Sequence, residues 1–286
     1  MSVNTISALE RSMYNDEFKV DFEREKSLLM KCVRSDGLMR AGTIYWDIVD
    51  PSEEAQERSR DGDIPLAQLV LSQVSATPVE YFGGKYRIDD FDTFKSNPNV
   101  RTMQYRKSIA ACHRRCDANI IAQLDASTNV QNSGSAIDFG AKGPILDWVS
   151  DLWARDVPMD GRVWGVVTPK GYAQMMTIDE FVSADYVMIR EFDQLHGLPE
   201  LKAKHWAGVN WFTHTGLSGF GTATADCYIF HESAIGHQIA GDPEVHAYYY
   251  EPQHRHETYA VMRDATKLCL DRGVEGATHD DTAAVA

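Results

Sequence analysis

Two histidines flank an arginine in "EPQHRHETY", residues 251–259. Glu257 follows directly, and His246 lies eight residues upstream of His254. On a strand, residues two apart face the same side, so His254 and His256 could share a metal ion. Such a site needs a third ligand. Glu257 would point to the opposite face, and His246 could join only where Pro252 bends the chain. One reading is therefore a metal-dependent enzyme built on His246, His254, His256 and a carboxylate. The other, which the missing third ligand favours, is a strand whose polar side chains pack or face solvent.

Other stretches raise the same question. In "CHRRC", Cys112 and Cys116 stand one helical turn apart, with His113 rotated away by about 100°. No second Cys/His pair is near in sequence, so both thiols read as small apolar side chains. "GLSGFG", residues 216–221, departs from the nucleophile elbow at Phe220 and has no Lys-Ser/Thr pair for a phosphate loop. "IDDFD", residues 88–92, has no calcium-loop spacing after it, and Asp89 and Asp90 read as the opening of a short helix. No catalytic residue, metal-ligand set or cofactor anchor emerges, and the expectation is a protein that is not an enzyme.

The bulk chemistry narrows the field. A formal charge of −14 over 286 residues argues against gripping nucleic acid, which takes clustered Lys and Arg. It equally disfavours an anionic membrane surface. Cys32, Cys112, Cys116, Cys227 and Cys269 form an odd, scattered set suited to reduced thiols in a cytosol-like compartment. No apolar run approaches the ~18 residues of a membrane span, and the N-terminus lacks the apolar core of a signal peptide.

The elements that must position these residues are elongated. Phe18, Phe22, Leu29 and Val33 fall at helical spacing in a polar segment that reads as an arm or surface helix. "TIYWDIVD" and "LAQLVLSQVSATPVEYF" read as extended chain on either side of "PSEEAQERSRDGDIP", a long charged tip. Together they predict an extended hairpin over 43–82. Asn97 can cap and Pro98 can open a helix of about 28 residues, about 42 Å long. Tyr105, Ile109, Cys112, Cys116, Ile120 and Leu124 trace its apolar stripe, with Arg106, Lys107, Arg114, Arg115 and Asp117 mostly off it. Beyond it, "PILDWVSDLWARD" is helical and "RVWGVVTP" is a short buried strand. "KGYAQMM" opens a helix, "HWAGVNWFTHT" and "DCYIFHE" are strands, and "SAIGHQIAG" reads as a short helix. "EVHAYYYEPQHRHETYAVM" is extended, Gly273 marks a turn, and "DDTAAVA" reads as a loose tail.

This order of parts resembles the major capsid proteins of tailed bacteriophages, with the Hong Kong 97-type fold. "VSATPVEYFGGKYRIDDFD" resembles their return from the extended loop, and "RKSIAACHRRCDANIIAQLDA" their spine helix. "GRVWGVVTPKGYAQM" and "ADCYIFHESAIGHQIAG" resemble strand–helix units of the axial domain, and "KLCLDRGVEGATHD" the final strand. The resemblance implies an α+β fold in five parts. These are an N-terminal arm (1–42), an extended β-hairpin loop (43–82), and a peripheral domain with the spine helix (83–139). An axial domain (140–240) and peripheral return strands with a tail (241–286) complete it.

It implies self-assembly into pentamers and hexamers that close an icosahedral head around double-stranded DNA, without sequence-specific binding. Hairpin-tip residues Glu53, Glu54, Glu57, Arg58, Arg60 and Asp61 would pair with charges on a neighbour. The expected location is the virion, assembled in the host cytoplasm, with no membrane and no cofactor. Two departures matter. No lysine occurs from Thr43 to Gly84, so no covalent crosslink from the loop is expected. The 42-residue arm has no room for a long coiled-coil prodomain, which implies a separate scaffolding protein beside the portal. A decoration protein coating another assembly is the remaining competitor.

Overall fold

The computed structural model describes residues 25–40, 42–49, 60, 70–89, 100–131, 135–183, 188–191 and 202–285. In chain order the strands and helices begin with β1 (Leu38–Arg40), β2 (Thr43–Val49), β3 (Leu71–Ala76), β4 (Val79–Phe82) and β5 (Tyr86–Asp89). Then come α1 (Val100–Leu124), α2 (Lys142–Trp153), β6 (Val163–Val167), α3 (Pro169–Met175) and α4 (Asp179–Val182). β7 (Met188–Glu191), β8 (Lys202–Trp206), β9 (Val209–Thr213) and β10 (Ala225–His231) follow. β11 (Ile235–Tyr250), β12 (Arg255–Leu268) and β13 (Val274–His279) end the series.

They form three sheets, ordered β1-β2-β3, β13-β10-β6-β9-β8-β7, and β11-β12-β4 with β5 also on β12. β6 and β9 run parallel, while the other pairings are antiparallel. The class is α+β, as the resemblance implies.

The six-stranded sheet carries the main core. "VWGVV" in β6 is buried at every position, which is how a central strand covered on both faces reads in sequence. α2 supplies a stripe of Ile145, Trp148, Val149 and Leu152. Trp148 meets Trp211 and stacks on Phe139, both with ring centroids 5.7 Å apart. α3 starts at once after β6 because Thr168 caps it. Its Oγ1 accepts from the Gly171 N–H at 3.0 Å, and Pro169 fills the first helical position.

α1, 25 residues long, lies between two cores. Its middle packs Cys112 and Cys116 on Ala260 and Met262 of β12, with Ile109 alongside. Its last turns put Ile120, Ile121 and Leu124 into the main core. Because it is covered from two sides, the buried arc is wider than one stripe. Asp117, expected mostly off the stripe, is fully buried. It accepts from Ser27 Oγ and from the N–H groups of Leu28 and Leu29, and meets His214 Nε2 at 3.2 Å.

That carboxylate fastens the segment before β1. Leu29, Cys32 and Val33 enter the main core from turns and bends rather than from a helix. Phe18 and Phe22, the other two positions of the expected helix, lie outside the described residues, as do the expected cap and opening at Asn97 and Pro98.

Three further expectations change. "SAIGHQIAG" is not a helix: after one short turn at Glu232–Ala234 it starts β11, which pairs from Ile235↔Leu268 onward. The partner strand overrides the local helical pattern. β13 leaves the company of β11 and β12 and pairs with β10, from Phe230↔Val274 to Ala225↔His279. Residues 274–279 therefore complete the six-stranded sheet and do not join the sheet of β11 and β12. The start of the tail is anchored too. Asp281 is buried and accepts from Thr168 Oγ1 at 2.7 Å and from the Gly221 N–H at 2.8 Å.

Candidate assembly interface

The hairpin is built from alternation. β2 turns Ile44, Trp46 and Ile48 inward and Tyr45, Asp47 and Val49 outward. Ile44 and Trp46 cluster with Ala265 of β12, so the base of the hairpin is seated on the body. The seat needs a bare backbone: a Cβ on Gly236 would come within 2.5 Å of the Trp46 ring. β2 and β3 pair from Ile44↔Ala76 to Val49↔Leu71. Gln73 Nε2 donates to Asp47 Oδ1 at 2.6 Å on the outer side.

Away from the base the character changes. Val49 and Leu71, directly opposite at the outer end, are 54% and 67% exposed, and Val70 is also exposed. Leu38 and Met39 on β1 are exposed as well. These grouped apolar side chains at a paired strand end make it a candidate contact surface. Of the expected tip residues, Arg60 is an exposed turn residue. Glu53, Glu54, Glu57, Arg58 and Asp61 lie outside the described residues.

A second limb is the β11–β12 ribbon, paired out to Tyr250↔Arg255 with irregularities around Gly241. Tyr248, Tyr249 and Tyr250 are exposed at its far end. Glu257 gathers three cations there, Lys85 at 2.5 Å and Arg87 and Arg255 at 2.9 Å. The Lys85 ammonium, hydrogen-bonded to Glu257, holds that carboxyl below the usual glutamate range. Arg263 reaches Glu80 through both Nε (2.8 Å) and an η nitrogen (2.6 Å), tying β12 to β4.

His246, His254 and His256 part ways. His246 packs beside both the Tyr248 and Tyr259 rings, with Nε2 3.6 Å from Glu244. His254 sits at the ribbon turn with φ +44° and its Nδ1 is 3.1 Å from the Tyr249 hydroxyl. His256 packs on the Tyr249 ring at 4.8 Å. Among the described residues they do not form a ligand group.

A different trio does come together: Cys116, His237 and Asp264, all buried, with ligand atoms within 4.8 Å of one another. They come from α1, β11 and β12. Burial pushes the Cys116 thiol up to about 12 and His237 down to about 4, and it raises the Asp264 carboxyl. Their positions, far apart in sequence, carry no motif. The register of β11 on β12 brings them together, with His237 opposite Thr266 and Ile239 opposite Asp264.

A family model described as "Phage capsid protein" matches residues 6–266. A solved chain of Mycobacterium phage Che8 superposes with a TM-score of 0.67 at 14% identity, covering 92% of this chain and 95% of that one. The capsid of cyanophage P-SCSP1u gives 0.67 at 10% identity over 94% and 92%. The capsid of an empty GTA particle gives 0.66 at 13% identity over 98% and 100%. At these identities the likeness carries the fold alone. Alpha-L-fucosidase 2 of Arabidopsis thaliana is 24% identical over 234 residues, 76% of this chain. The chain spans about a quarter, 27%, of that enzyme's length.

Proposed function

The chain belongs to the phage capsid protein family and is a major capsid protein of Hong Kong 97-type fold, and on that premise we propose how its copies join. The family and fold are those of a structural component of the phage particle. Each subunit lays its hairpin, residues 43–82, across a neighbour within pentamers and hexamers. The observation that supports this most is the apolar end of the hairpin, where Val49 and Leu71 face away from their own body. Covering an exposed aliphatic side chain contributes roughly 25 cal/mol per Å² of apolar surface. The charged tip then adds ion pairs of about 0–1 kcal/mol each. Contacts this weak dissociate when misplaced and hold when repeated around a closed shell.

The division into arm (1–42), loop (43–82), peripheral (83–139 and 241–286) and axial (140–240) parts is retained as the working assignment. β13 is exchanged into the axial sheet. Identical contacts do not by themselves select one curvature, so we assign that choice to a separate scaffolding protein, with a portal at one vertex. The head encloses double-stranded DNA, which the net charge of −14 leaves free to move in and out. Assembly takes place in the host cytoplasm.

Val49→Asp combined with Leu71→Asp tests the hairpin contact. Both side chains are exposed in the single chain, so far-ultraviolet circular dichroism should stay unchanged. Sedimentation should shift from shells or capsomers to free subunits. Shells forming at the normal yield from this variant would refute the contact.

A further inference from the structure

We propose that Cys116, His237 and Asp264 hold one zinc-type divalent cation, which staples the spine helix to the peripheral strands. The inference is independent of how copies assemble. It rests first on spacing. Cys116 Sγ stands 4.0 Å from His237 Nε2 and 3.6 Å from Asp264 Oδ2. Around a tetrahedral zinc, with Zn–S about 2.3 Å and Zn–N about 2.0–2.1 Å, such ligand atoms are about 3.5 Å apart. The His237 nitrogen nearest Asp264 is Nδ1, 3.7 Å from Oδ2, and the three ligand atoms lie within 4.8 Å of one another, so the imidazole would have to shift by about 1 Å to bring Nε2 to coordination distance together with Sγ and Oδ2.

The surrounding hydrogen bonds already orient the donors. His237 Nδ1 lies 2.9 Å from Thr266 Oγ1, which leaves Nε2 for a metal. Asn119 Nδ2 donates to both Asp264 oxygens, at 3.0 and 3.2 Å. Outer partners of this kind fix ring and carboxylate orientation at metal sites. The Tyr81 hydroxyl, 3.0 Å from Cys116 Sγ, is an oxygen within reach of a fourth position.

Little positive charge reaches the site, since Arg115 acts on Asp264 only from beyond ion-pair distance. All three groups are buried. Among the described residues the only basic side chain within ion-pair distance of Asp264 is His237 itself, through Nδ1 at 3.7 Å. Buried carboxylates are ordinarily paired or bound to a metal. A thiol, an imidazole and a carboxylate together select zinc over calcium or magnesium, which prefer all-oxygen sites. On binding, the metal–sulfur bond replaces the S–H bond and the thiol proton passes to the buffer. No oxidant or reductant is needed.

The test uses the full chain, purified without chelator, with Co2+ as the spectroscopic probe. The expected results are one metal ion per chain, a thiolate-to-cobalt charge-transfer band, and a higher melting temperature with Zn2+ than with chelator. Cys116→Ser should abolish the band. Thr266→Val, which leaves the ligands in place, should weaken binding by roughly 10–100-fold. Wild-type protein that takes up no Co2+ and melts identically with Zn2+ and with chelator would overturn the proposal, without involving any variant's folding. Metal uptake that persists undiminished in Cys116→Ser would overturn it too, by placing the ion elsewhere.

Discussion

Trp46 shows at the scale of one residue how the hairpin is both held and freed. Its ring lies over Gly236 and is almost fully buried, while Val49, three positions on, is exposed. Trp46→Ala empties the seat and should cost about 3–5 kcal/mol. Thermal unfolding of the unassembled subunit measures that loss; a change under 1 kcal/mol, on the same scale of core truncations, would mean the seat is not closed. Glu257 carries a different signature. Lys85, Arg87 and Arg255 favour its charged form, so its folded pKa lies below the ordinary value of about 4.3. The stability it contributes is present above that ordinary value and is lost as pH falls through the folded one. Melting curves across pH should therefore show a steeper acid-side loss in the natural protein than in Glu257→Gln, and parallel curves would contradict the assignment.

Between elements, α1 comes close to the chain leaving the hairpin. Gly83 donates its N–H to the Ala260 carbonyl at 2.8 Å, and Ser108 Oγ donates to the Gly84 carbonyl at 2.9 Å. A Cβ on Gly83 would fall 2.1 Å from the Ser108 carbonyl oxygen. Gly83→Ala should push helix and strand apart at a cost of about 1–3 kcal/mol. Hydrogen exchange should report it as faster exchange at Gly83 and in β4, whereas unchanged protection would show that the backbones have slack. The long helix and the paired limbs were legible in the sequence because their signals are local: steps of three and four along Tyr105–Leu124, alternation along Thr43–Val49. "SAIGHQIAG" was misleading because strand pairing with residues some thirty positions away decided it. Asp117 was misleading because a second layer covers the helix on a side that one stripe does not describe.

At the scale of the whole molecule, the order of parts pointed to the fold, and the trio of Cys116, His237 and Asp264 escaped notice. Its members lie on three elements that only the tertiary structure brings together, and two of them sit in stretches that read as ordinary strand or helix. The histidines around His254 stood out in sequence for the opposite reason: they are close along the chain and diverge in space. Among the large apolar side chains the molecule leaves uncovered are those at the ends of its limbs, Val49 and Leu71 on one and Tyr248–Tyr250 on the other. The most direct test of that account is a cryo-electron-microscopy map of the full chain, produced with its scaffolding protein. The account predicts closed shells in which residues 43–82 of each subunit lie across a neighbouring copy, with Val49 and Leu71 buried at the contact. Subunits that remain single under those conditions, or shells in which this hairpin touches only its own body, would contradict it.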